Sequence, residues 1–242
     1  MKMNNSHIYY NIIIINKMAT TDPKNNKKKI YLITDRKSND ILLNLLKEAS
    51  FVSEVRIGSP NIIPELTESF LSLFDCFIYD LKDAGFGIDT NKEKEIRNYI
   101  ENDGGSFLVT HDHWDYCKGP LDLIGLEYDN KIPYICSDEA KVEIYPQRHD
   151  IYNSYHNLTH LSIFKISLTH KTCHKIKENT SAKVVMTLYS EKANNNIQDY
   201  LVINEVGKGR IAYWAAGHSN TISDEEKKIF INIVAWLTQY KK

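Results

Sequence analysis

The sequence predicts an α/β fold of the flavodoxin-like type: a mostly parallel sheet with helices on both faces, an elaborated insertion and a C-terminal hairpin. Three observations predict it. Short, nearly continuous apolar runs, "KIYLIT", "DCFIYDL" and "SFLVT", alternate with amphipathic helical patterns, as strands covered on both faces by crossover helices must. Each run stops in a polar or glycine-bearing segment, where a chain leaves a sheet. Late in the chain the alternation gives way to two β-rich runs around Gly207-Lys208-Gly209, which read as a hairpin.

The elements follow in order. Residues 1–28 read as a flexible tail, because "TTDPKNNKKK" cannot bury enough apolar surface to order itself. The apolar run in "HIYYNIIIIN" is broken by Asn11, too short to span a bilayer and without a basic region before it, so no targeting is read there. Its β-prone residues Ile8 to Ile15 make it a candidate arm for a protein partner. Residues 29–242 read as one domain. After "KIYLITD", "SNDILLNLLKEA" places Ile41, Leu42, Leu45, Leu46 and Ala49 on one helical face, with Ser38 as candidate N-cap. "VSEVRIG" and "DCFIYDL" are the next strands. In "TNKEKEIRNYIENDGG", Thr90 and Glu93 have capping-box spacing, Ile96, Tyr99 and Ile100 form the apolar stripe, and Gly104 stops the helix.

From about Tyr116 to Asn179 the periodicity is poor, with "AKVEIYP" as a strand and the rest loop-like. "AKVVMTLYS", "YLVINEV" and "RIAYWAAG" supply further strands. "SDEEKKIFINIVAWLTQY" closes the chain as a helix with Ser223 and Glu226 in a capping box and Ile229, Phe230, Ile233, Val234 and Leu237 as its buried stripe.

Composition narrows the function. Thirty basic residues against thirty-one acidic ones create no overall positive field, which argues against nucleic acid or anionic lipid as partner. The four cysteines, Cys76, Cys117, Cys136 and Cys173, show no C-x-x-C spacing and fit reduced thiols in a cytoplasmic protein.

Four stretches carry a family resemblance. "EKEIRNYIENDGGSFLVTH", "LDLIGLEY", "RHDIYNSYHNL" and "GKGRIAYWAAGHS" resemble, in this order, segments of the class I glutamine amidotransferase-like superfamily, and within it the trehalose-utilisation (ThuA-like) branch. The resemblance spans roughly Lys29 to Tyr240. It implies the flavodoxin-like fold and a small carbohydrate or an oxidised derivative as ligand. One departure is that His149-Asp150 stands where the branch has His-Pro.

An amidotransferase of this fold needs a cysteine on a tight elbow, G-x-C-x-G, to expose the nucleophile and aim backbone N–H groups at the oxyanion. Here "SFLVT" runs into His111-Asp112-His113, without glycine or cysteine, so glutamine hydrolysis by that route is not expected. His111 instead falls where ligands of open parallel sheets bind, outside the carboxyl end of a strand. In extended chain His111 and His113 point to one side and Asp112 to the other.

The candidate catalytic residues are therefore His111, Asp112 and His218, the last at the end of "RIAYWAAG". His113, Trp114 and His170 are candidate ligand contacts. The H-x-H pair can offer two ligands to a divalent metal such as zinc, but no third ligand stands at local spacing and no metal set is defined. The same residues have an ordinary reading: Asp112 capping a loop, His113 stacking on Trp114, His218 bonding a loop carbonyl. A non-catalytic scaffold or interaction domain on the same fold is accordingly the alternative. Gly207-Lys208-Gly209 reads as turn chemistry rather than a phosphate loop, since no helix amino terminus stands behind it.

Overall fold

A computed structural model describes residues 27–35, 40–81, 88–110, 117–128, 141–144, 149–159, 163–165, 174–190, 196–216 and 222–240. Among the described residues eleven strands and five helices follow one another: β1 Lys28–Thr34, α1 Ile41–Glu48, β2 Val52–Gly58, α2 Glu68–Leu71, β3 Cys76–Asp80, α3 Thr90–Glu101, β4 Ser106–Thr110, α4 Lys118–Ile124, β5 Leu126–Tyr128, β6 Lys141–Ile144, β7 Ile163–Lys165, β8 His174–Ile176, β9 Lys183–Ser190, β10 Asn196–Val206, β11 Gly209–Trp214 and α5 Asp224–Leu237. Short 3-10 helices occupy Pro60–Glu65 and Asp150–Asn153.

Nine strands form one sheet in the order β2-β1-β3-β4-β11-β10-β9-β6-β7. The first five are parallel, and the last four extend them antiparallel. The parallel block reverses direction of growth between β1 and β3, the switch point of a flavodoxin-like sheet. β5 and β8 form a separate antiparallel pair. Helices α1 and α5 pack together on one face, whereas α2, α3 and α4 form the layer on the other. Strands β3 and β4 are buried throughout because both faces are covered.

Helix ends were chosen by contacts that spacing only partly foretells. Asp40, rather than Ser38, caps α1: its Oδ1 accepts from the Leu42 and Leu43 amides. Ser38 lies outside the described residues. Asp89 caps α3 through the Asn91 and Lys92 amides, so Thr90 is already helical and no capping box forms. Glu93 instead accepts from the Gly119 amide at 2.8 Å and ties α3 to α4. The Ser223–Glu226 capping box of α5 is present as the spacing predicts. The proposed tail lies outside the described residues up to residue 26.

The two glycine motifs meet in a single contact. The β10–β11 turn docks on the α3–β4 turn, where the Lys208 amide donates to the Glu101 carbonyl at 2.9 Å. Gly207 and Gly209 allow this approach, since a Cβ on either would fall within 2.2 Å of a backbone oxygen. The turn reading of Gly207-Lys208-Gly209 is thus the one the fold uses.

Candidate functional site

Register places a row of polar side chains at the carboxyl ends of the parallel strands. Thr34, Asp80, Thr110 and Trp214 are the last residues of β1, β3, β4 and β11, with Thr34 paired beside Asp80 and Thr110 beside Trp214. The Thr110 hydroxyl donates to Asp80 Oδ1 at 2.6 Å, and the Thr34 hydroxyl donates to Asp40 Oδ2 at 3.1 Å. Asp80 is completely buried. A buried carboxylate costs several kcal/mol unless its neighbours compensate, and the Thr110 hydroxyl is one group that does so here.

A second buried carboxylate lies at the start of α5. Glu226 closes the capping box and accepts from the Tyr200 hydroxyl at 3.1 Å. Burial, then the charge of Glu226, push the Tyr200 phenol well above its ordinary range, so it stays a donor. The Tyr200 ring meets Trp214 edge-on at 6.4 Å, and Trp214 stacks on Phe230 of α5 at 5.8 Å. The polar row and the Glu226–Tyr200 pair therefore both lie on the α5 side of the sheet.

Strands β4 and β11, which precede the candidate histidines, are adjacent and parallel. His111 follows Thr110 directly, and His218 stands four residues beyond Trp214. His111, Asp112, His113, Trp114, His170 and His218 themselves lie outside the described residues. Among the described residues, no group of three His, Cys, Asp or Glu side chains is placed to hold a metal ion. Nor is any helix among them long and apolar enough to cross a membrane.

Cys117, the first cysteine after β4, is set where a nucleophile would not be exposed. It is fully buried at the start of α4, and burial pushes its thiol well above the ordinary value against a hydrogen bond from Tyr79, with the charge of Glu93 adding to the rise. The reactive species is the thiolate, which this setting disfavours. The folded protein is expected to release no ammonia from glutamine and to leave Cys117 unmodified by iodoacetamide. Ammonia release abolished by Cys117→Ser would reverse this assignment.

His149 has a defined structural role. Its Nδ1 accepts from the Ile151 amide at 3.2 Å, capping the Asp150–Asn153 turn, and its ring meets Trp236 edge-on at 5.7 Å. Burial, then the charge of Lys183, hold its pKa below the ordinary value. With Nδ1 committed as acceptor, the neutral ring carries its proton on Nε2. Asp150, where the resembled branch has proline, is the first residue of that turn and is exposed.

Asp80, Thr34 and Tyr200 escape a reading of the sequence, and Glu226 shows in it only as a helix cap. Asp80 and Thr34 look like ordinary strand ends until strand order aligns them. Glu226 carries a local signal, the capping box, but Tyr200 comes to it from a distant strand.

A parallel block in this order, with an antiparallel arm and helices on both faces, is the class I glutamine amidotransferase-like fold. Among solved structures the chain is similar to a cytoplasmic protein from Salmonella typhimurium LT2, at 14% identity and a TM-score of 0.64 over 88% of this chain and 100% of that one. It is also similar to a protein described as ThuA-like from Bacteroides uniformis ATCC 8492, at 11% identity and a TM-score of 0.59 over 90% and 93% of the two chains. The glutaminase domain of Trypanosoma brucei CTPS shares the fold at 9% identity and a TM-score of 0.55, over 89% and 95%. No protein-family model and no curated protein matches the sequence. At these identities the likeness is one of fold.

Proposed function

We propose that this is a ThuA-like domain without the amidotransferase nucleophile, which binds or transforms a small carbohydrate-related ligand over the carboxyl ends of β1, β3, β4 and β11. The observation that carries the reading is the buried row Thr34, Asp80, Thr110 and Trp214, polar groups held just beneath the switch point where open α/β sheets bind ligands. His111 and His218, which follow β4 and β11 in the sequence, are the groups suited to move a proton near neutral pH. Asp112 supports them, and His113, Trp114 and His170 contribute ligand contacts. The carbohydrate class rests on the sequence resemblance to the trehalose-utilisation branch. A cytoplasmic setting fits the cysteine spacing, which shows no C-x-x-C pair.

The test is a ligand-observed NMR screen of mono- and disaccharides and their keto and acid derivatives, followed by calorimetry. At least one member should bind, and His111→Ala and His218→Ala should each weaken it about tenfold or more, the size of a lost hydrogen bond to a ligand, with unchanged melting temperatures. If no sugar binds to the folded protein, or if the variants melt early with no binding to lose, the interaction-domain reading replaces this one.

A further inference from the structure

A cavity opens at the other end of the strands, where β9 begins and β10 ends. It holds about 190 Å³ between the sheet and α5, and His149, Lys183, Ile203, Glu205 and Trp236 are among its walls. That volume equals the liquid share of about six waters. Its floor is apolar, since Ile203 and Trp236 are buried. Most of its polar groups are already committed. The Ser181 hydroxyl donates to Asn204 Oδ1 at 2.7 Å, and the Asn204 amide donates to the Leu123 and Ile124 carbonyls. The Glu205 carboxylate is taken by Arg210 at 3.2 Å, and Arg210 also donates to the Trp236 carbonyl and lies 4.7 Å over its ring.

Two donors remain. Lys183 makes no ion pair with any described residue, and the Nε2–H of His149 has no acceptor among them. Both line one small cavity with an apolar floor, where the carboxylate of Glu205 is paired through one oxygen with Arg210 and Asp150 opens instead on the neighbouring groove beyond Trp236. We infer that this cavity binds a short-chain carboxylate, whose two oxygens are met by the Lys183 ammonium and the His149 Nε2–H and whose apolar body rests on Ile203 and Trp236.

The groups facing His149 fix the linkage. Lys183 and Arg210 disfavour its protonation, while Asp150 and Glu205 favour it. A bound carboxylate offsets the lysine charge and accepts from the ring, so it must raise the pKa of His149.

Full-length protein labelled at histidine, titrated with sodium propionate and followed by imidazole NMR, tests this. His149 signals, assigned with His149→Gln, should move saturably, and the His149 pKa should rise at saturation. Lys183→Gln should weaken binding about tenfold, the scale of a charge-assisted hydrogen bond, without changing the melting temperature, since Lys183 is exposed. Propionamide moving His149 as strongly as propionate would overturn the assignment. So would propionate affinity unaffected by Lys183→Gln, orthophosphate binding there in place of propionate, or no saturable change at His149.

Discussion

Alanine at Gly207 is expected to lower folding stability by about 3 kcal/mol or more, the sum of a left-handed backbone cost and an overpacking cost. Gly207 has φ +58°, and a Cβ there would lie 2.2 Å from the Glu101 carbonyl oxygen and 2.6 Å from its Cα. These backbone atoms cannot easily yield, because the same carbonyl accepts from the Lys208 amide and ends a helix that feeds straight into β4. Gly104 is the internal control. Its φ is +78°, yet its nearest neighbour would be 3.5 Å from a Cβ, so alanine there should cost only the conformational part, about 1 kcal/mol. Urea unfolding of the two variants separates clash from strain. Equal losses for both would show that the turn is not pressed against α3.

The same contact explains why part of this molecule was legible in its sequence. "DCFIYDL" and "SFLVT" are apolar at successive positions because both faces of the central sheet are covered, and that pattern needs no knowledge of partners. The β10–β11 hairpin announces itself by Gly207-Lys208-Gly209. Helix α4 does not: "KGPLDLI" carries a glycine and a proline in its first turn, and its start is held by the distant Glu93 carboxylate. The spacing of Thr90 and Glu93 suggested a local box for the same reason, since nothing within α3 reveals that Glu93 is needed elsewhere. The candidate site divides similarly. His111 and His218 stand out in the sequence because each follows an apolar run, whereas Asp80 acquires meaning only when β3 is placed between β1 and β4. The His149 cavity required two strands, a turn and a helix to be assembled, and no stretch of sequence contains it.

Asn232 is the other residue whose importance depends wholly on assembly, and Asn232→Ala is expected to cost about 3–5 kcal/mol, as several buried backbone groups lose partners at about 1–3 kcal/mol each. By periodicity it is a polar position on α5, yet it is 1% exposed. Its Oδ1 accepts from the His156 amide at 2.7 Å, and its Nδ2 donates to the Ile151 carbonyl at 2.8 Å and the His156 carbonyl at 2.9 Å. One side chain thus satisfies three backbone groups of the segment that carries His149, in a region without a ladder to do so. Removing it should loosen this segment from α5 more than it disturbs the central sheet, so hydrogen exchange should accelerate at Tyr152 and Leu158 before it does at Leu108. Asn232→Asp should be worse than alanine at neutral pH. It keeps the acceptor for His156 but sets the second oxygen of a buried carboxylate against two carbonyl oxygens, where the segment offers it no donor. Losses below about 1 kcal/mol for alanine, the net worth of a single ordinary hydrogen bond, or exchange that rises uniformly through the sheet, would show that the segment is held by its aromatic contacts to Phe51 and Tyr240 instead.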